Sequence, residues 1–252
     1  MSLHAHLPRL YVPAQEIPAA EQGASCPLSP EQARYLGTVL RKTAGDLVRV
    51  FNAEAGEWLA TLDGVRKDKG SLTLSELLRP PLQAMPSLIL AFAPLKRDAT
   101  DLVVRMGTEL GVTHFMPVIT ERTNTHRVNL DRLQAIAMEA TEQCERLDIP
   151  HVAEPVPLMQ CLGAWPEGHR LFAAIERGQE RAASGPLTFR SARAGDGLLI
   201  GPEGGLSDAE CKTLLSRPCI APVSLGPLIL RADTAVAAGL ALMGDGLRSV
   251  QD

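Results

Sequence analysis

Two segments near the C-terminus hold residues whose types and spacing could do chemistry: Ile200-Gly201-Pro202-Glu203-Gly204-Gly205-Leu206, and Val223-Ser224-Leu225-Gly226-Pro227-Leu228-Ile229-Leu230-Arg231-Ala232-Asp233-Thr234-Ala235. Both read as an apolar strand, a glycine-bearing turn and a helix start. Glycine lets the backbone approach a ligand closely and reach φ > 0. Two such turns at neighbouring strand ends would build a pocket mainly from main chain. Its N–H and C=O groups could read the edge of a flat, neutral heterocycle such as adenine.

The usual phosphate fingerprints are absent. No G-x-x-x-x-G-K-[ST] occurs, and no G-x-G-x-x-G follows a strand, which argues against a triphosphate or a standard dinucleotide. Glu203 places a carboxylate within the first turn, where it would repel phosphate. A phosphate-free, cationic nucleoside such as S-adenosylmethionine fits better. The same five residues would also serve simply as a tight turn, since Gly and Pro mark turns generally.

The elements that would position these loops alternate strand and helix from residue 87 onward, the mark of a parallel α/β sheet. Residues 87–93, 114–119, 169–175, 197–200 and 220–225 read as strands. Leu102, Met106 and Leu110 recur every four residues, which predicts the apolar face of a helix ended by Gly111. Leu130, Leu133, Ile136, Ala137 and Ala140 predict a second, longer helix. Ser207-Asp208-Ala209-Glu210 is a capping box opening a third, and a last helix starts near Asp233. Its stretch 235–243, with Ala237, Ala238 and Gly239, suits close packing against another helix, in this chain or in a second copy.

The first 80 residues differ. Residues 46–52, 57–65 and 71–78 read as short strands with polar or glycine turns between them. Ser29-Pro30-Glu31-Gln32 reads as a helix start with Ser as N-cap, Pro in the first turn and Gln closing a capping box. A small β-barrel with one helix is the expected packing. Residues 79–86, with three prolines, read as a stiff linker. Two domains are thus expected, 1–80 and 86–252.

Composition narrows the function classes. The 252 residues carry a net charge of −4, so sequence-blind attraction to nucleic acid is not the expected mode. Basic clusters remain at His4, His6 and Arg9; at Arg34, Arg41, Lys42 and Arg49; at Lys96 and Arg97; and at Arg122, His126 and Arg127. Each also reads as an ordinary solvated face. The five cysteines form no C-x-x-C pair, which argues for reduced thiols in a cytoplasm over zinc or a disulfide framework. The N-terminus does not read as a signal peptide, and no apolar run reaches the ~20 residues needed to span a membrane. His114, His126 and His151 lack metal-ligand spacing and read as structural or surface residues.

At this point the chain resembles the RsmE family of ribosomal RNA methyltransferases within the knotted SPOUT superfamily. The blocks that carry the resemblance are Leu7-Pro8-Arg9-Leu10-Tyr11-Val12, Val39-Leu40-Arg41-Lys42-Thr43-Ala44-Gly45-Asp46, Thr108-Glu109-Leu110-Gly111-Val112, Glu139-Ala140-Thr141-Glu142-Gln143-Cys144-Glu145-Arg146 and the two C-terminal loops, in family order. Three positions depart from the family pattern: Leu228 replaces an Arg, Asp233 a Glu and Met106 a Lys. They bear on RNA contacts and pocket polarity.

The resemblance implies a PUA-like RNA-binding β-barrel over 1–80, a SPOUT-type parallel sheet with a C-terminal trefoil knot over 86–252, and a homodimer. It implies methyl transfer from S-adenosylmethionine to N3 of a uridine in 16S rRNA of the small ribosomal subunit. N3 carries a proton and lies on the pairing edge, so the base must be unpaired or flipped out and its anion stabilised. Arg231 is the candidate for that stabilisation, with Glu203 to accept a proton or hold the cofactor amine. Arg231 also reads as a loop residue paired with Asp233. Cofactor contacts are expected from Gly201, Pro202, Glu203, Gly204, Gly205, Leu225, Gly226, Ile229 and Leu230, with Thr234 and Ala235 beneath. RNA contacts are expected from Arg9, Arg41, Lys42, Lys96, Arg97, Arg122 and Arg146. The i,i+4 spacing of Glu142 and Arg146 reads equally as a surface ion pair. Competing readings are a non-catalytic RNA-binding or assembly factor and a SPOUT methyltransferase acting on another RNA such as tRNA.

Overall fold

The computed structural model describes residues 4–17, 20–82, 86–125, 127–175 and 189–249. Residues 83–85 of the expected linker and His126 lie outside these. The chain divides into two units, Met1–Ala84 with Thr141–Asp148, and Met85–Ala140 with Ile149–Asp252.

In the first unit, β1 (Arg9–Tyr11), β2 (Ser25–Pro27), β3 (Leu47–Asn52), β4 (Gly56–Arg66) and β5 (Lys69–Arg79) form a five-stranded sheet in the order β1-β3-β4-β5-β2. The three longer strands fall where the pattern predicts them. The edge strands β1 and β2, three residues each, are too short to show a period. Helix α1 (Pro30–Arg34) starts with the expected capping box: Ser29 Oγ accepts from Gln32 N–H, and Gln32 accepts from Ser29 N–H. It continues as a π-helical turn, Tyr35–Val39. The core gathers Leu36, Val48, Val50, Leu62 and Leu72.

Two residues expected to contact RNA, Arg9 and Arg146, have buried side chains engaged by protein acceptors. Glu57, 2 % exposed, accepts from Arg9 Nε at 3.0 Å, Arg49 Nη1 at 3.2 Å and Arg79 Nε at 2.5 Å. Arg9 also donates to the carbonyls of Thr141 at 2.9 Å and Arg146 at 2.5 Å, and its guanidinium lies 3.5 Å over the Phe51 ring. The Arg9 guanidinium is thus engaged by protein acceptors. Arg146 is half-buried, its side chain 8 % exposed and its Nη2 donating to Asp148 at 2.6 Å. The Glu142 carboxylate accepts from the Tyr11 N–H at 2.9 Å. The Glu142–Arg146 spacing therefore reflects two inward-facing anchors rather than a surface pair.

In the second unit, β6 (Ile89–Phe92), β7 (His114–Ile119), β8 (His151–Val152), β9 (Val156–Pro157), β10 (Leu171–Ala174), β11 (Gly197–Ile200) and β12 (Ile220–Val223) form a parallel sheet in the order β12-β10-β11-β6-β7-β8, with β9 also paired to β7. Alternate strand residues feed opposite faces. Leu90, Phe92, Phe172 and Leu198 join one core, and Ala91, Leu171, Ala173 and Leu199 join the other. Burial on both faces is why these strands read as continuous apolar runs. Helices α2 (Arg97–Glu109), α3 (Leu130–Gln143), α4 (Leu158–Gly163), α5 (Asp208–Leu215) and α6 (Ala232–Ser249) complete the unit. Helix α4 and the short β8 and β9 had no pattern long enough to predict them.

The predicted face of α2 is wrong. Thr100, Val103, Val104, Gly107 and Thr108 are buried, whereas Leu102 and Met106 are half-buried and Leu110 is exposed. The Phe115 ring decides the orientation, because a Cβ on Gly107 would lie 2.6 Å from its Cε1. Gly107 is where the helix can abut the ring, and the large aliphatics rotate outward. Gly111 follows the helix at φ +94°, as predicted. Gly239 of α6 makes a similar close approach, to Leu198 of β11, where a Cβ would lie 2.7 Å from Cδ2.

Candidate active site

Three adjacent strands, in the order β12-β10-β11, end on one edge of the sheet, where ligands of parallel α/β sheets bind. After β11, residues 201–205 make a turn in which Gly205 N–H donates to Pro202 O at 2.9 Å. Gly205 sits at φ +69°, a conformation open to glycine without strain. Ser207 then caps α5: its Oγ accepts from Glu210 N–H, and its own N–H donates to Glu210 Oε2 at 2.8 Å. After β12, residues 224–231 lead into α6, with Gly226 at φ +117°.

Between these loops lies a cavity of about 530 Å³, within the ~300–1,000 Å³ range of small-molecule sites. Ile175, Ile200, Leu206, Val223, Leu225 and Leu230 supply apolar wall. Among the described residues, the charged ones on the wall are Glu203 and Arg231, both exposed. The Arg231 carbonyl accepts from Ala235 N–H at 2.8 Å, whereas its side chain makes no hydrogen bond or ion pair with the described residues, and Asp233 Oδ1 accepts from Thr234 N–H at 2.7 Å. Exposed Leu228 and Ile229 complete the rim. An apolar, backbone-lined space with few fixed charges suits a neutral ring system carrying a polar or cationic tail.

The cavity wall includes Gly201, Pro202, Glu203, Gly205, Leu225, Gly226, Ile229, Leu230, Arg231 and Ala235. Gly204 and Thr234, also expected there, lie off it. The Gly204 carbonyl accepts from Arg122 Nη1 at 2.9 Å, and Thr234 is exposed. The wall also takes in Ala174 and Ile175 from the end of β10. Sequence reading missed these because pattern alone does not reveal that β10 lies between β11 and β12.

Arg122, expected to contact RNA, belongs to the frame of this site. It and Glu121 follow β7, and the Glu121 N–H donates to Glu210 Oε1 at 2.8 Å. The turn after β11 is thus tied at Gly204 by Arg122, and the helix behind it by Glu210. Of the other expected RNA contacts, Lys96 and Arg97 are exposed where α2 begins. In the first unit Arg41 is exposed, and Lys42 lies 4.0 Å from Asp46. His114 and His151 lie on β7 and β8 with ring centroids 6.2 Å apart; burial, then the His151 charge, lowers the His114 pKa.

A family model described as an RNA methyltransferase domain matches residues 83–244, and one described as an RNA methyltransferase PUA domain matches residues 28–75. The chain is 33 % identical to the ribosomal RNA small subunit methyltransferase E of Rickettsia conorii, over 84 % of this chain and 86 % of that one. It is 35 % identical to the Synechocystis protein of the same name, over 90 % and 75 %. Among solved structures it is similar to a ribosomal RNA small subunit methyltransferase E from Neisseria gonorrhoeae bound to S-adenosyl methionine. There the TM-score is 0.77 at 26 % identity, covering 94 % of this chain and 97 % of that one.

Proposed function

The chain belongs to the ribosomal RNA small subunit methyltransferase E family, and from that membership we propose that it methylates N3 of a uridine in the 16S rRNA of the small ribosomal subunit, with S-adenosylmethionine as donor. The observation that carries this reading is the cavity at the ends of β10, β11 and β12, walled by main chain and aliphatic side chains. Its volume, its lack of a phosphate-binding motif and the sparse charge among its described wall residues fit a phosphate-free nucleoside. The backbone of residues 201–205 and 224–230 would hold that nucleoside. When bound, S-adenosylmethionine supplies a methyl group on a sulfonium, already a good leaving group.

The chain's own task is on the acceptor side. Uracil N3 becomes a nucleophile once its proton leaves. Arg231, exposed at the rim with a side chain unpaired among the described residues, stabilises the resulting anion by charge-assisted hydrogen bonds to the uracil oxygens. Glu203, on the same rim, accepts the proton or holds the cofactor's amino group. The apolar wall keeps water from the cavity interior, while Arg231 and Glu203 act from its solvated rim.

In this reading residues 1–80 are a PUA-like RNA-binding barrel and residues 86–252 a SPOUT domain whose last strand and helix thread a trefoil knot. The knot is supported by β12 lying beside β10 on the side away from β11, which makes the chain turn back across strands already laid down. A second copy of the chain, forming a homodimer, covers Leu228 and Ile229. Their 76 % and 85 % exposure is otherwise a cost to an isolated monomer. The enzyme works in the cytoplasm, where small subunits are found.

The test uses purified protein, methyl-labelled S-adenosylmethionine and small subunits lacking the modification, with mass spectrometry of the digested nucleosides. Label in 3-methyluridine is the expected result. Label in another nucleoside would overturn the assignment of base and atom. Absence of both label and cofactor binding would favour a non-catalytic RNA-binding factor.

A further inference from the structure

Tyr35 is the one exposed aromatic residue among those described: every Phe and Trp is buried and Tyr11 is half-buried. Its side chain is 43 % exposed, and Val39, four residues on, is 67 % exposed. Ala33 and Leu36 of the same segment turn into the core of the first unit, so Tyr35 and Val39 are left on the outer face. Water-facing helix positions ordinarily carry polar side chains, and two large apolar ones in register ask for a partner.

The backbone is unusual at the same place. Tyr35–Val39 is a π-helical turn, with Leu40 N–H donating to Tyr35 O at 3.0 Å. Just beyond it Arg41 takes φ +54°, a left-handed conformation rare for residues other than glycine. Both features gather at functional positions, and here they coincide with the exposed ring and turn an exposed arginine onto the surface.

The electrostatics agree. In a chain of net charge −4, residues 30–42 and 63–70 hold six Lys/Arg against three Asp/Glu. The two segments are neighbours, since a Cβ on Gly37 would lie 2.3 Å from Val65 Cγ1. Arg34, Arg41, Arg66, Lys67 and Lys69 are exposed. Asp63 is engaged locally, accepting from the hydroxyls of Ser71 at 2.8 Å and Thr73 at 2.7 Å.

We propose that this face, the Tyr35–Val39 turn with the hairpin joining β4 to β5, binds a single-stranded segment of RNA, with a base stacked on Tyr35 and phosphates over the flanking Arg and Lys side chains. An aromatic platform set among cations is the arrangement that holds unpaired strands of any sequence. The apolar area is too small and too strongly ringed by positive charge to suit a protein partner. This deepens the reading of ribosomal RNA as substrate and rests on it.

The experiment uses the full chain and a labelled single-stranded RNA of about 12 nucleotides, a length within typical site sizes, followed by fluorescence anisotropy at two salt concentrations. Tyr35→Ala should weaken binding by about tenfold or more, the loss expected for one stacked base. Tyr35→Phe, which keeps the ring, should bind like the parent, and Lys67→Glu should flatten the salt dependence. With small subunits as substrate, Tyr35→Ala should raise KM and leave kcat and the cofactor Kd unchanged. If Tyr35→Ala binds RNA as tightly as the parent, or the parent binds no single strand, the surface proposal is overturned while cofactor binding and methyl transfer stand. Loss of cofactor binding in the parent would instead strike the reading on which it rests.

Discussion

Arg231→Ala offers the sharpest separation of chemistry from stability. Arg231 is exposed at the cavity rim and its side chain makes no hydrogen bond or ion pair with the described residues. Removing it therefore breaks no native interaction, and the fold should change by no more than ~0.5 kcal/mol. The transition state loses a charged donor aimed at a developing anion. Losses for one such donor run about 10²–10³ in rate, or about 2.7–4 kcal/mol. Because solvent reaches Arg231, the lower end applies, about 10² in kcat. Arg231→Lys keeps the charge and loses the planar fork, so it should fall between. The assay is single-turnover methyl transfer to small subunits, alongside cofactor titration and thermal unfolding. A kcat within about threefold of the parent, under 1 kcal/mol, would refute the role. A rise in cofactor Kd matching the fall in rate would make Arg231 a cofactor ligand.

Three further outcomes follow from the geometry. Glu210→Gln leaves a capping-box residue able to accept from Ser207 N–H but removes the second acceptor for Glu121 N–H. The cofactor Kd should rise about two- to tenfold, the worth of one hydrogen bond, whereas Ser207→Ala should lower thermal stability by ~1 kcal/mol at unchanged Kd; parallel shifts in both variants would show that the tie does not position the loop. Glu57→Gln strips the charge that three buried or half-buried arginines share, and should cost ~3–5 kcal/mol in urea unfolding; a loss under ~1 kcal/mol would mean the cluster is solvated in solution. The Arg49 hydrogen bond and charge hold the Glu145 carboxyl below its ordinary value of 4.5. Its contribution to stability is present above that value and lost as pH falls through the lower folded one, so the parent should lose more stability on acidification below pH 4.5 than Glu145→Gln; identical acid profiles would remove Glu145 from the account.

Local signals in the chain were read well where the physics is local. The capping boxes at Ser29 and Ser207 need only residues three apart, and both form. The apolar runs of the parallel strands are self-evident because both faces are buried. The turn 201–205 is legible because glycine and proline restrict the backbone whatever surrounds them. The misreadings have the opposite character. Leu102, Met106 and Leu110 obey the helical period, yet the buried face of α2 was settled by the ring of Phe115, close in space and distant in the pattern. Arg9 reads as a free cation because charge is read one residue at a time, and its acceptors come from remote segments.

The sequence by itself determined the kind of fold, the two glycine-bearing loops and, through its motif blocks, the family. These depend on backbone preferences and on the periods of helix and strand, which act over a few residues. Only the tertiary structure decided that β10 lies between the loop-bearing strands, that Arg122 fastens the turn it seemed free to leave, and that Tyr35 stands outside the core among cations brought from a separate hairpin. Each depends on which strands pair and which side chains meet, and those contacts are selected by packing across the whole sheet.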